Sequence, residues 1–263
     1  GVENLPKDRP YLLVANHSGA LATAEIFSFA YLYLEHVGED RPLAGFAHPI
    51  MFASWPSSLL LRELGAVPST HEHGRAAFAK GSSVLVFPGG DHDAFRPIWR
   101  HAHVDFNSRL GFLRLARDAN VPVVPMGIRG SHFTAPVLAR SDWFLARFAV
   151  WPWLCGIKRV PLTLLGLLGA IAFLTLPHWS LLVRALSAWA WTFSFPALVA
   201  WLPFTIRMRI GRAIPPEELF GDEKDDARLV EALARVQGAV QTLVREEPPE
   251  TSPNRAIPVA VER

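Results

Sequence analysis

Two apolar segments of this sequence end at residues that can do chemistry. Residues 14–19 are Val-Ala-Asn-His-Ser-Gly, so His17 directly follows an apolar run, and residues 84–90 are Val-Leu-Val-Phe-Pro-Gly-Gly. A histidine released at the end of a buried strand is well placed to act as a general base. A turn containing Gly89 and Gly90 exposes backbone N–H groups and lets a ligand approach the main chain. Together they indicate a reaction in which a hydroxyl is deprotonated and a developing oxyanion is held.

The sequence offers His17 two acidic partners. Glu25 follows eight positions later, near the start of the first predicted helix, and Asp93 lies just past the Pro-Gly-Gly turn. A carboxylate beside a histidine fixes its tautomer and favours the imidazolium formed when a proton is taken. Glu25 can equally be a solvated acid that supports the helix dipole. We therefore leave both partners open.

A second group of polar residues is interpreted as surface. Five histidines alternate with aspartates between positions 71 and 105, and the alternation of His101, His103 and Asp105 is one that could bind zinc. These residues lie in polar, loop-like sequence without a supporting cysteine or helical histidine pair, so we predict no metal site. Arg75 and Arg96 are candidates to meet an anionic head group. No Gly-x-Ser-x-Gly elbow or phosphate-binding glycine loop is present.

Composition limits the class of protein. The 263 residues include 50% apolar and only 19% charged residues, and the net charge of +2 is too close to balance to argue for a nucleic-acid partner. A single cysteine, Cys155, excludes an internal disulfide. The length suits one large domain. We expect a single domain over residues 1–246 and a disordered tail over residues 247–263, which is rich in proline.

Two periodicities alternate along the first 130 residues. Strands are expected over residues 10–15, 41–47, 66–68, 83–87 and 121–128. Helices are expected over residues 22–34, 71–80 and 108–118, and a further helix is expected to follow the second strand and end near Gly65. Near the other end, residues 205–210 alternate as a strand, and residues 222–246 form an amphipathic helix. This order predicts an α/β fold with a mixed central sheet flanked by helices.

An apolar insert, at about residues 158–206, is of a different kind. Arg184 is the only formal charge in residues 160–206, tryptophans are frequent, and basic residues flank both ends. A bilayer span needs about 20 apolar residues, and prolines interrupt this stretch before that. We favour an interfacial or re-entrant helical hairpin that enters one leaflet. The alternative is a pair of helices buried in the core.

Several ordered segments resemble the glycerolipid O-acyltransferases, and most closely the branch similar to mono- and diacylglycerol acyltransferases. The resemblance covers residues 1–130 and resumes over residues 202–211, leaving the apolar insert unmatched. The segments that carry it are Asn16-His17-Ser18-Gly19, Phe87-Pro88-Gly89-Gly90 with Asp93 and Arg96-Pro97, Val104-Asp105-Phe106 with Arg109, Gly111 and Phe112, and Val121-Pro122-Val123-Val124-Pro125.

The resemblance implies that His17 is the general base, assisted by Glu25 or Asp93. It implies no cofactor: the acyl donor is a co-substrate, acyl-CoA or an acyl carrier protein, and the acceptor is a hydroxyl of a membrane glycerolipid or lysophospholipid. We expect a membrane-associated enzyme at the cytoplasmic face. The substrate-binding residues expected on this basis are Asn16, Ser18, Gly19, Arg75, Pro88, Gly89, Gly90 and Arg96.

One departure from the family pattern motivates an alternative. The family usually places an aspartate after the histidine and four further residues, and Ala22 holds that position here. The alternative is therefore a catalytically weakened lipid-binding protein of the same fold.

Overall fold

The structure is a computed structural model, and it describes residues 1–20, 22–53, 57–141, 147–149, 159–193, 199–221 and 226–246. Cys155 and the tail predicted for residues 247–263 lie outside the described residues, as does the part of the apolar insert at residues 194–198.

A six-stranded sheet forms the centre of the fold. Its order is β3-β2-β4-β1-β5-β8, and all neighbours are parallel except β5 and β8. The prediction of a mixed central sheet is confirmed. The strands of this sheet are β1 (Leu12–Ala15), β2 (Leu43–Ala47), β3 (Ala66–Pro68), β4 (Ser83–Val86), β5 (Val123–Arg129) and β8 (Arg207–Ile210). A separate antiparallel pair consists of β6 (Val137–Arg140) and β7 (Pro161–Thr163).

Helices cover both faces of the sheet, as an α/β layer structure requires. The α-helices of the described residues are α1 (Ala24–Val37), α2 (Ser57–Glu63), α3 (His71–Ala79), α4 (Gly90–Ala94), α5 (Gly111–Ala119), α6 (Leu164–Thr175), α7 (Leu181–Thr192), α8 (Pro216–Phe220) and α9 (Asp226–Arg245).

Strand β1 is buried on both sides because it lies between β4 and β5. Leu12 and Val14 pack in the cluster beneath α3, α5 and α9, and Leu13 and Ala15 pack in the cluster beneath α1. A continuous apolar run is the expected sequence of such a strand. Because β1, β4 and β5 are parallel, their carboxyl ends meet at one edge of the sheet. Ligands bind at this edge in open α/β sheets.

Residues 164–192 of the apolar insert form a helical hairpin rather than part of the core. Helices α6 and α7 pack against each other, yet of their residues only Gly166 and Ala188 are buried. The alternative of a buried helical pair is therefore wrong. Within the described part of the chain, no helix combines the length and hydropathy that crossing a membrane requires.

Candidate active site

The side chains of His17 and Glu25 meet at the carboxyl end of β1. Nδ1–H of His17 donates to Oε1 of Glu25 at 2.7 Å, and the same oxygen accepts the N–H of Ser18 at 3.1 Å. Glu25 is fully buried, whereas the side chain of His17 is 14% exposed and its ring packs on Phe87 at 4.8 Å. Among the described residues, no group forms a hydrogen bond with Nε2 of His17. That nitrogen is left to accept a proton.

The loop between β1 and α1 folds back sharply, which returns Glu25 to His17. Gly19 has φ +78°, and a Cβ there would lie 3.0 Å from the carbonyl oxygen of Ser131. Ala20 and Thr23 also have left-handed φ angles, 56° and 48°, which are strained for residues with a side chain. Strain of this kind persists only where the surroundings impose it. Gly19 therefore shapes this loop.

Asp93 holds the main chain of His17 rather than its ring. Its Oδ2 accepts the backbone N–H of His17 at 2.6 Å, and its Oδ1 accepts from the guanidinium of Arg96 and, at 3.5 Å, from the N–H of Asp105. This corrects the expectation that Asp93 could be the partner of the ring. A buried carboxylate that binds a neighbouring arginine has no free oxygen to turn toward the imidazole.

Arg96 is buried and does not face a head group, which corrects its expected role. It pairs with Asp93, and its Nη2 donates to Nε2 of His132 at 3.0 Å. Burial, assisted by the charge of Arg100, lowers the pKa of Arg96 to about 10. Burial and the charge of Arg96 hold the pKa of His132 well below its ordinary value. No local pattern in the sequence indicated His132, because it lies 36 positions from Arg96.

The glycines after β4 serve close packing. A Cβ on Gly89 would lie 2.3 Å from Cβ of Asp93, and one on Gly90 would lie 2.4 Å from Nη1 of Arg109. Gly90 also uses its N–H within the turn, donating to the carbonyl of Phe87 at 3.0 Å. Gly90 is therefore not free to hold an oxyanion, contrary to expectation. The carbonyl of Pro88 accepts from Nη1 of Arg109 at 3.1 Å, so Pro88 is also occupied.

Asn16 and Ser18 join strands rather than facing a substrate. The amide of Asn16 donates to the carbonyl of Ile128 at 2.9 Å and accepts from its N–H at 2.7 Å. The hydroxyl of Ser18 bonds that of Ser131. Both side chains are fully buried. Their expected role in substrate binding is therefore corrected: they fix the ends of β1 and β5, and with them the position of His17.

An arginine-rich cluster lies beside the site. Asp91 accepts from Nη2 of Arg109 at 3.0 Å and from Nη1 of Arg159 at 3.1 Å, and Arg140 donates to the carbonyl of His92. Burial alone would raise the pKa of Asp91, but the hydrogen bonds and charges of the two arginines hold it below its ordinary value. Burial lowers the pKa of His92, and nearby arginine charges add to this effect. The sequence did not indicate Arg140 as a site residue.

Among the described residues, Arg75 and His101 form no hydrogen bond with His17. Arg75 is exposed on α3, which follows β3 at the edge of the sheet. His101 uses Nδ1 on the carbonyl of Ile98 at 3.0 Å. Across the described ranges, no three His, Cys, Asp or Glu side chains come close enough to hold a metal ion.

Fold and site together define an α/β protein with a histidine–glutamate pair at the carboxyl edge of a parallel sheet. A histidine whose Nδ1–H is held by a buried carboxylate can take a proton at Nε2 and pass it on. The imidazolium formed is stabilised by the ionised partner. Such a pair suits a reaction that begins with the deprotonation of a hydroxyl.

Comparison with known families agrees with this arrangement. Residues 1–129, which contain His17, Glu25 and Asp93, match the model of the Acyltransferase family. Over these residues, the resemblance to the glycerolipid acyltransferases is confirmed.

Similar curated proteins extend the match beyond that domain. An uncharacterized protein of Mycobacterium tuberculosis is 29% identical over 178 residues, which are 67% of this chain and 48% of that protein. Phytyl ester synthase 2, chloroplastic, of Arabidopsis thaliana is 27% identical over 54% of this chain and 20% of its own length. The human DGAT1/2-independent enzyme synthesizing storage lipids is 29% identical over 48% of this chain and 37% of its own length. The chain spans about half the length, or less, of these relatives.

One solved structure is similar across most of the chain. It is the 1-acyl-sn-glycerophosphate (LPA) acyltransferase PlsC from Thermotoga maritima, with 18% identity and a TM-score of 0.47 over 94% of this chain and 71% of that one.

Proposed function

We propose that this protein is an O-acyltransferase that moves a fatty acyl group from an acyl thioester, acyl-CoA, to a hydroxyl of a glycerolipid or lysophospholipid. The observation that carries the proposal is the hydrogen bond of 2.7 Å between Nδ1 of His17 and Oε1 of Glu25, within a domain of the Acyltransferase family. It supports His17 as the general base and Glu25 as the residue that orients its ring.

The proposed step balances as follows. Nε2 of His17 takes the proton of the acceptor hydroxyl while that oxygen attacks the thioester carbonyl carbon. The tetrahedral intermediate then collapses with cleavage of the carbon–sulfur bond. The imidazolium returns its proton to the departing sulfur, so the products are an ester and free CoA. General base catalysis of this kind typically contributes about 10²–10⁴-fold to the rate. The step uses no resident metal or cofactor.

The phosphates of acyl-CoA are negatively charged, so the arginine-rich cluster is the candidate to bind them. Arg109 and Arg159 pair with Asp91, and Arg140 lies near both Asp91 and Asp105, so the three arginines outnumber these two carboxylates. Arginine suits phosphate because its planar fork gives paired hydrogen bonds. We assign the phosphates of the donor to this cluster. The N–H of Gly89, for which the described residues provide no acceptor, is the remaining backbone candidate to hold the oxyanion.

The acceptor is proposed to come from a membrane. Residues 160–206 are almost free of charge, and the hairpin formed by α6 and α7 exposes apolar side chains. Both features support association with a membrane surface, which we assign to the cytoplasmic face. There the acceptor hydroxyl is at the level of the head groups, within reach of a site at the edge of a peripheral protein.

The test is release of free CoA by the purified protein with acyl-CoA and mixed glycerolipid acceptors, with products identified by mass spectrometry. His17→Gln and Glu25→Gln are each expected to lower kcat by about 10²–10⁴-fold. The matched controls are His36→Gln and Glu35→Gln, exposed residues near the end of α1, which should leave kcat unchanged. CoA release that survives His17→Gln would remove that residue from the mechanism. A parallel assay with acyl carrier protein thioesters decides the donor.

A second candidate function is retained because Ala22 occupies the position at which the family usually has an aspartate. A catalytically weakened lipid-binding protein would bind acyl-CoA or glycerolipid without releasing CoA. Wild-type protein that binds vesicle lipid but leaves the thioester intact would favour this alternative over the enzyme.

A further inference from the structure

Half of the large apolar side chains that are exposed in the described chain lie on the hairpin formed by α6, α7 and the turn between them, residues 164–192. Leu181 is 77% exposed and Leu182 is 68% exposed at the start of α7. Their exposed apolar neighbours are Leu167, Leu168, Ile171, Leu174, Trp179, Val183, Leu186 and Trp189. Isolated exposed apolar residues need no explanation, but a contiguous surface of this kind marks an interaction site.

The hairpin satisfies its own polar groups at the turn. Arg184 donates to the carbonyls of Trp179 at 2.8 Å and Pro177 at 3.0 Å, and more weakly to that of Leu174 at 3.5 Å. Ser180 accepts the N–H of Val183 at the start of α7. The last carbonyls of a helix have no partner within the helix and normally require water. Here Arg184 supplies a partner to two carbonyls of the turn and, weakly, to that of Leu174 in the last turn of α6. These carbonyls therefore need less water as a partner.

Charge and length both fit a lipid leaflet. From Arg159 to Pro216 the sequence has five arginines and no acidic residue, and only Arg184 lies in the hairpin itself. The exposed apolar side chains of the two helices, with basic residues on the flanking chain, match hydrocarbon below anionic phosphates. Each helix has 12 residues, about 18 Å at 1.5 Å per residue. Half of a hydrocarbon core is about 15 Å thick.

The base of the hairpin is continuous with the candidate active site. The N–H of Leu164 donates to the carbonyl of Pro136 at 2.8 Å, so α6 begins beside β6. Val137 of β6 is buried in one cluster with Ala20, in the loop that follows His17, and with Ala94. A hairpin inserted in lipid would therefore hold the carboxyl edge of the sheet at the membrane surface.

We propose that the hairpin of residues 164–192 inserts tip first into the hydrocarbon of a single leaflet, and that Arg184 permits this by capping the carbonyls of the turn. The occupant of the exposed apolar surface is lipid, not a second copy of the chain. Arg184 acts inside the hairpin, through hydrogen bonds, and not as a contact for lipid phosphate. The proposal deepens the proposed function but does not depend on catalysis.

The first test is flotation of the purified protein with vesicles of phosphatidylcholine alone. The double variant Leu181→Glu/Leu182→Glu should lower the partition coefficient about a hundredfold, because two large apolar side chains no longer enter hydrocarbon. Val230→Glu, at an exposed apolar position of α9, is the matched control and should float like wild type. Wild-type protein that stays with the buffer, or elutes as a dimer that Leu181→Glu/Leu182→Glu dissociates, overturns the proposal.

The second test separates the two roles of Arg184. Arg184→Gln removes the charge and most of the donors, so binding should fall by the same factor, at least tenfold, on neutral vesicles and on vesicles containing phosphatidylserine. A fall in binding confined to the anionic vesicles would mean that Arg184 contacts lipid phosphate. An unchanged partition coefficient would mean that Arg184 neither contacts phosphate nor aids insertion by capping the turn. Both outcomes overturn its assigned role. Thermal unfolding of each variant shows whether the fold is intact. Neither test needs substrate, so failure here is distinguishable from a failure of CoA release.

Discussion

At the residue scale, the site depends on a buried network that leads away from His17. Asp93 holds the N–H of His17 and pairs with Arg96, and Arg96 donates in turn to His132. Because an arginine has no acceptor atom, Nε2 of His132 must accept this bond and stay unprotonated. The fold therefore requires a neutral His132 beside a permanent charge.

This requirement predicts a dependence of stability on pH. The pKa of His132 lies well below 6.5 in the folded protein because of burial and the charge of Arg96. In the unfolded chain the imidazole of His132 takes up a proton near pH 6.5, whereas in the folded protein it stays neutral at that pH. Stability is therefore full above about pH 6.5 and is lost as pH falls below it, by up to about 1.4 kcal/mol per pH unit.

Urea unfolding at pH 7.5, 6.5 and 5.5 measures the effect. His132→Gln keeps an acceptor for Arg96 but does not titrate, so its free energy of unfolding should fall less steeply below pH 6.5. The difference in slope should be about 1.4 kcal/mol per pH unit. Identical slopes for wild type and His132→Gln would contradict the neutral buried histidine.

At the scale of elements, β5 and α9 approach so closely that one glycine decides their packing. A Cβ on Gly127 would lie 2.6 Å from Cβ of Leu243 and 2.8 Å from its carbonyl carbon. Because a backbone atom cannot move aside like the end of a side chain, Gly127→Ala should cost about 1–3 kcal/mol. Gly238 lies on the same helix with nothing within 4 Å of its Cβ position.

Gly238→Ala is therefore the matched control, and its change in the free energy of unfolding should have the opposite sign. Alanine inside a helix reduces the entropy of the unfolded chain and stabilises by about 0.5–1 kcal/mol. Guanidinium unfolding of both variants gives the comparison. If both substitutions changed the free energy of unfolding in the same direction, backbone propensity, and not the contact between β5 and α9, would control their effect on stability.

The elements were largely predictable because their signals are local. The strand expected over residues 66–68 is β3 itself, and the helix expected over residues 71–80 is α3, which ends at Ala79. The helix expected over residues 222–246 is observed from Asp226, and residues 222–225 lie outside the described part. Apolar periodicity is a property of neighbouring residues, so sequence alone carries it.

The site was only partly predictable because its contacts are long-range. His17 and Glu25 are eight positions apart and their pairing was foreseen as one option. Asp93 accepts the backbone N–H of His17, which is 76 positions away in the sequence. The role of Asp93 therefore depends on this backbone bond and not on a contact with the imidazole ring. Arg96 looked like a free cation because nothing near it in sequence indicates burial. Which polar side chains are buried is settled by the tertiary fold, not by local pattern.

At the scale of the whole molecule, the edge of the sheet that carries His17 also carries the base of the hairpin. Under the two proposals, anchoring and catalysis have separate parts: the hairpin would set the height of the site above the bilayer, and the histidine–glutamate pair would act on the hydroxyl that comes within reach. Long-chain acceptors stay in the membrane, whereas short-chain acceptors dissolve in water. Only the first class should need the hairpin.

The double variant Leu181→Glu/Leu182→Glu tests this separation. With a long-chain acceptor in vesicles, its rate of CoA release should fall at least tenfold, because losing two buried leucines costs about 3 kcal/mol of membrane affinity. With a short-chain acceptor in solution and a short-chain acyl-CoA, the rate should stay within about twofold of wild type. Equal losses in both assays would mean that the hairpin shapes the site itself. An unchanged rate on vesicles would mean that some other surface brings the protein to its acceptor.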